Sequence, residues 1–76
     1  MRYQLLYTAV LVLSNVKKDE TFILNELFPP IVWKNLITTD KANLGADFID
    51  WVTKIGNNIV KPLDKDEKGR QRYIKL

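Results

Sequence analysis

Residues 38–56, TTDKANLGADFIDWVTKIG, decide how the rest of the chain is read. At about 100° per residue, Leu44, Phe48, Trp51, Val52 and Ile55 fall on one side of a helix, the spacing of a core-facing stripe. Thr38 or Thr39 is placed to cap the start, and Asp40 suits the positive end of the helix dipole. Gly56 can adopt the left-handed conformation that ends a helix. Two further faces remain. Asn43, Asp47, Asp50 and Lys54 make a polar one, and Ala42, Gly45, Ala46 and Thr53 make a small one around Ile49.

On the C-terminal side, Gly56-Asn57-Asn58 reads as a turn, and residues 59–63 and 71–76 as two strands. The polar loop between them carries Gly69 near its end, so the pair is a hairpin. Pro62 cannot donate to a ladder, which puts the first of these strands at a sheet edge.

On the N-terminal side, residues 29–36 form a short helix with a proline in its first turn. Phe28, before Pro29-Pro30, is pushed out of the α region. Trp33 and Leu36 are core candidates. Asn25 is placed to cap a helical turn before that break, with Glu26 well placed for its dipole, and residues 21–24 are extended. Residues 17–20 are a solvated turn. Residues 3–16, YQLLYTAVLVLSNV, read as a helix with a core stripe at Leu6, Ala9, Val10, Leu13 and Val16, although the β-branched content keeps a strand as the alternative. The apolar run falls far short of the roughly 20 residues of a membrane span. It imitates a signal peptide, but no small-x-small cleavage site follows. As a helix it leaves over a second strip, Tyr3, Tyr7 and Leu11, which either packs under the hairpin or forms a dimer or partner surface.

The order is helix, short strand, two helices and a C-terminal β-hairpin. This is an α+β winged helix-turn-helix spanning residues 1–76 as one domain, with residues 21–24 as the third strand. The run Phe22-Ile23-Leu24-Asn25-Glu26-Leu27-Phe28-Pro29, followed by Trp33 and Leu36, resembles the motif F-x-L-x-[DE]-L-F-P-x-x-x-W-x-x-L of a family of short proteins of unknown function from Gram-positive bacteria, their phages and plasmids. In that family a helix containing L-G-x-x-F comes next, and then a hairpin ending in a Tyr-containing strand. Leu44-Gly45-Ala46-Asp47-Phe48 and Tyr73 match these parts. The likeness spans about residues 17–76, and the basic residues usual early in the central helix are reduced to Lys41. The resemblance implies a winged-helix-like domain of mobile-element origin and brings no catalytic residues.

A chain of 76 residues buries only about 60% of its unfolded surface, so its stability should be a few kcal/mol. Its 46% hydrophobic and 28% charged content is that of a globular domain rather than a disordered one. With no Cys and no His, disulfides, zinc fingers, and Cys or His nucleophiles and bases are excluded. No cofactor or metal is expected, and a cysteine-free chain fits a reducing, cytoplasmic setting. The net charge of +3 is uneven. Residues 54–76 hold seven basic and three acidic side chains, so the electrostatic steering lies at the C-terminal end.

Three function classes follow. The acidic cluster Asp40, Asp47 and Asp50 is the only one a two-carboxylate mechanism could use. A solvated helix face accounts for it, with Lys54 within i+4 reach of Asp50, and an enzyme is not expected. For a double-stranded DNA-binding regulator, Thr38, Thr39, Lys41 and Asn43 at the start of the second helix would face base edges, while Lys65, Lys68, Arg70 and Arg72 on the hairpin would hold phosphates. Asp47 and Asp50 would repel a DNA backbone passing the middle of that helix. For a phage- or plasmid-encoded inhibitor or adaptor of a host protein, the small face and the Tyr3–Tyr7–Leu11 strip would be the contact surfaces. On a purely structural account, Gly45 and Ala46 let the preceding helix pack closely.

Overall fold

In the computed structural model, which describes residues 3–76, the chain runs α1 (Gln4–Val12), β1 (Thr21–Ile23), α2 (Pro30–Asn35), α3 (Thr38–Lys54), β2 (Val60–Pro62) and β3 (Arg72–Lys75). Turns of 3₁₀ helix at Leu13–Asn15, Leu24–Leu27 and Gly56–Asn58 lie between them. The described residues thus form an α+β fold of three α-helices and one three-stranded antiparallel sheet. None of the helices is long and apolar enough to cross a membrane.

The N-terminal segment is a helix, not a strand. Leu6, Ala9 and Leu13 are buried, with Val10 and Val16 packed against the core, a 3–4 spacing that a period of two cannot produce. The other strip does not pack under the hairpin. Tyr3, Tyr7 and Leu11 are 47%, 63% and 73% exposed.

β1 ends at Ile23, whose N–H donates to the Glu26 carboxylate at 2.9 Å. Glu26 thereby satisfies an amide that the following 3₁₀ turn leaves open. Asn25 lies inside this turn rather than capping it, because the extended chain stops at Ile23 (φ −109°, ψ 159°). Phe28 is extended and Pro30 opens α2, as the proline pair requires.

α3 differs from expectation at both ends. Its cap position is Ile37, and no side chain caps it. The Lys41 N–H already reaches the Ile37 carbonyl (3.1 Å), which draws Thr38 and Thr39 into the first turn. At the other end Ile55 leaves the helical conformation (φ −127°, ψ −48°). Its side chain therefore departs from the stripe and is 70% exposed. Gly56 is not left-handed; Gly69 is the glycine with positive φ (77°). Gly56 is needed instead for space. A β-carbon there would overlap the Trp51 ring, with Cε3 at 2.8 Å.

The sheet order is β1-β3-β2, so the last strand lies between the other two and β2 is an edge, as Pro62 demands. Tyr73 stands opposite both Phe22 and Pro62. Beneath the sheet, Leu44, Phe48 and Val52 of α3 meet Phe22, Val60 and Tyr73 in one core. Trp33 and Trp51, half-buried, pack against it.

Candidate nucleic-acid interface

The sequence places α3 after a two-residue connection, Leu36-Ile37, with an extended backbone at both positions. With Leu44, Phe48 and Val52 buried, helical geometry turns Thr39, Ala42, Ala46, Asp50 and Thr53 outward, and all five are exposed. Of the four residues expected at base edges, Thr38 and Thr39 are exposed and Asn43 is half-buried. Lys41 is different. It lies on the core side of the helix, with its Nζ 5.5 Å from the centre of the Trp33 ring, a cation–π arrangement. It is not presented on the outward face with the other three.

The two mid-helix carboxylates sit in different surroundings. Asp47 is buried, not solvated, because α1 crosses that flank of α3. Tyr3 and Leu6 of α1 line one small cavity together with Asp47 and Trp51. Asp50 is exposed and paired with Lys54 at 2.9 Å.

The hairpin loop is built around one carboxylate. Asp66 Oδ1 accepts the N–H groups of Lys68 (3.0 Å) and Arg70 (2.8 Å), and Oδ2 accepts Arg70 Nε at 2.7 Å. The Arg70 amide, followed by its guanidinium and the Lys68 amide, holds the Asp66 carboxyl below its ordinary value of 3.8. Gly69 closes the turn by donating to the Asp66 carbonyl (2.9 Å). The four basic residues therefore divide into two pairs. Arg70 holds Asp66, and Arg72 donates from Nε to the Asp64 carbonyl (3.1 Å). Lys65 and Lys68 are exposed on the loop.

Across from the loop, the small face of α3 is open. A β-carbon on Gly45 would meet nothing within 4 Å, so α2 does not press against it. Gly45, Ala46 and Ile49 instead form one wall of a groove of about 320 Å³, with Leu24, Tyr73, Lys65 and Gln71 on the other sides. This groove brings the hairpin loop to the outward side of α3.

The family model for a domain of unknown function, DUF1413, matches residues 7–75. The chain belongs to the DUF1413 family. No curated protein and no solved structure matches it. Within the DUF1413 span, the residues singled out at 22–36 serve the fold. Phe22, Leu27 and Phe28 are buried, Glu26 caps, and the Trp33 ring packs 5.8 Å from that of Phe28. Sequence reading missed the role of Asp66, for which the Asp-x-x-Gly spacing at 66–69 was the only local signal. It also missed the groove, which needs the sheet order and is not a local property.

Proposed function

We propose that this DUF1413 chain is a winged helix-turn-helix that binds double-stranded DNA and catalyses no reaction, a regulator carried by a phage or other mobile element. The observation that carries this reading is the sheet order β1-β3-β2, with β1 drawn from between α1 and α2. This order, with Lys65 of the hairpin loop lining one groove with Gly45 and Ala46 of α3, supports reading the basic loop as a wing and α2–α3 as the helix-turn-helix pair. On this reading Thr38, Thr39 and Asn43 approach base edges in the major groove. Lys65 and Lys68 bind phosphates, and Arg70 and Arg72 order the wing and add to its field. Lys41, held over Trp33, is left out of the base-reading set. The pairing of Asp50 with Lys54 supports this account, since it offsets part of the repulsion a DNA backbone would meet at mid-helix. The mobile-element origin rests on the motif resemblance. Binding of duplex DNA measured against salt concentration tests the proposal.

A second reading is favoured by the groove along Gly45, Ala46 and Ile49. Its small, mostly apolar wall suits close approach by a protein segment, and an inhibitor or adaptor of a host protein would use it. DNA binding without salt dependence, or none at all, would move this reading to first place.

A further inference from the structure

Tyr73 is 2% exposed, with its ring fixed between those of Phe48 and Phe22. Among the described residues no hydrogen bond reaches its hydroxyl, and burial alone accounts for the raised pKa of the phenol. Yet this oxygen is not sealed in the core. The fully buried side-chain polar atom that lacks a partner, among the described residues, is Asn25 Oδ1. The Tyr73 hydroxyl therefore opens to the groove of about 320 Å³ that this residue lines with Gly45, Ala46, Ile49, Lys65 and Gln71. A nearly buried hydroxyl gains most from a partner.

We propose that this groove binds a small organic carboxylate with an apolar body, its carboxylate accepting a hydrogen bond from the Tyr73 hydroxyl in the field of the Lys65 ammonium. Charge selects an anion, since Lys65 is the one charged residue of the lining and no carboxylate borders the groove. Donor supply selects the same group. Gln71 Nε2 is turned to the carbonyls of Leu63 and Arg72, which leaves the Tyr73 hydroxyl and the exposed Lys65 as the side-chain donors free to meet a ligand. The wall selects the body. Gly45, Ala46 and Ile49 are apolar, and a β-carbon on Gly45 would meet nothing within 4 Å, so a slender chain or flat ring can lie against the helix there. Size selects a small molecule. About 320 Å³ is the lower end of ligand-binding sites and holds roughly 10–15 non-hydrogen atoms. A ligand of that size binds weakly, with a Kd on the order of 1 mM. The site requires neither DNA nor a protein partner.

Titration of the isotope-labelled full chain with sodium 4-phenylbutanoate, followed by amide NMR shifts, tests this. The amides of Gly45, Ala46, Ile49 and Tyr73 should move together with one Kd. Replacing the probe by 4-phenylbutanol, which keeps the body and lacks the charge, should weaken binding. Tyr73→Phe deletes only the hydroxyl and should weaken binding about tenfold while the melting temperature holds. Lys65→Ala should weaken it roughly two- to fivefold. Gly45→Leu fills the groove and should abolish the shifts, with the melting temperature kept or raised because glycine is the poorer helix former. Shifts scattered over the surface, or an affinity unchanged in both Tyr73→Phe and Gly45→Leu, would overturn the proposal. No shifts at about 20 mM probe would overturn it too, and would leave the groove to a protein segment.

Discussion

The ring of Tyr73 meets the ring of Phe48 edge-on, with centroids 4.9 Å apart and planes at 83°. This contact ties the C-terminal strand to the central helix, and Phe22 stacks on the same tyrosine from β1 at 5.7 Å. Aromatic pairs in this geometry contribute beyond their area alone.

Phe48 is fully buried, so Phe48→Ala should cost roughly 3–5 kcal/mol, enough to unfold a domain of this size. Trp51 is only half-buried, and Trp51→Ala should cost less. Chemical denaturation of both variants checks the order. A Phe48→Ala midpoint near that of the parent would contradict the packing described.

Stability should depend on Tyr73 at alkaline pH. Burial pushes its phenol up from 10.0 to about 12, so the folded state holds the proton that the unfolded chain gives up. The stability this confers is complete below pH 10 and is lost as pH rises from 10 to about 12, a contribution of roughly 1–3 kcal/mol. Tyr73→Phe should be near the parent in stability at neutral pH and should lose less between pH 10 and 12. Parallel pH profiles for the two proteins would rule this out.

Gly56→Ala should destabilise by roughly 1–3 kcal/mol through overlap with the Trp51 ring rather than through backbone strain. A double-mutant cycle distinguishes the causes. In a Trp51→Leu background most of the cost should disappear, whereas a cost unchanged in that background would point to the backbone.

The period of the hydrophobic stripe made α1 and α3 legible, the Pro29-Pro30 break made α2 legible, and Pro62 correctly marked an edge strand. What sequence could not supply came from neighbours distant in the chain. Asp47 reads as solvated until α1 is seen to cross it, and Lys41 reads as free to meet DNA until Trp33 is placed beneath it. Ile55 was misread for a local reason, since a stripe extrapolated at constant angle assumes a helix that in fact ends at Lys54. The basic hairpin was legible as charge, but the tying of Arg70 to Asp66 and of Arg72 to the Asp64 carbonyl was not.

If Asn43 reads a base, Asn43→Ala should weaken binding to a preferred duplex by roughly 1–3 kcal/mol and change binding to random sequence little. Competition between selected and random duplexes measures this. Equal weakening on both would assign Asn43 to the phosphate backbone.

The proposed DNA-binding role is tested most directly by the slope of log affinity against log salt for a random duplex, with and without Lys65→Ala and Lys68→Ala. These two side chains are exposed and the Asp66 network does not use their ammonium groups, so the loop should keep its shape. The parent should bind, with a Kd of about 10⁻⁴–10⁻⁶ M at physiological salt, and the double variant should show a slope shallower by about two units, one for each phosphate that is no longer neutralised. Undetectable binding by the parent at low salt, or an identical slope in the double variant, would contradict the account.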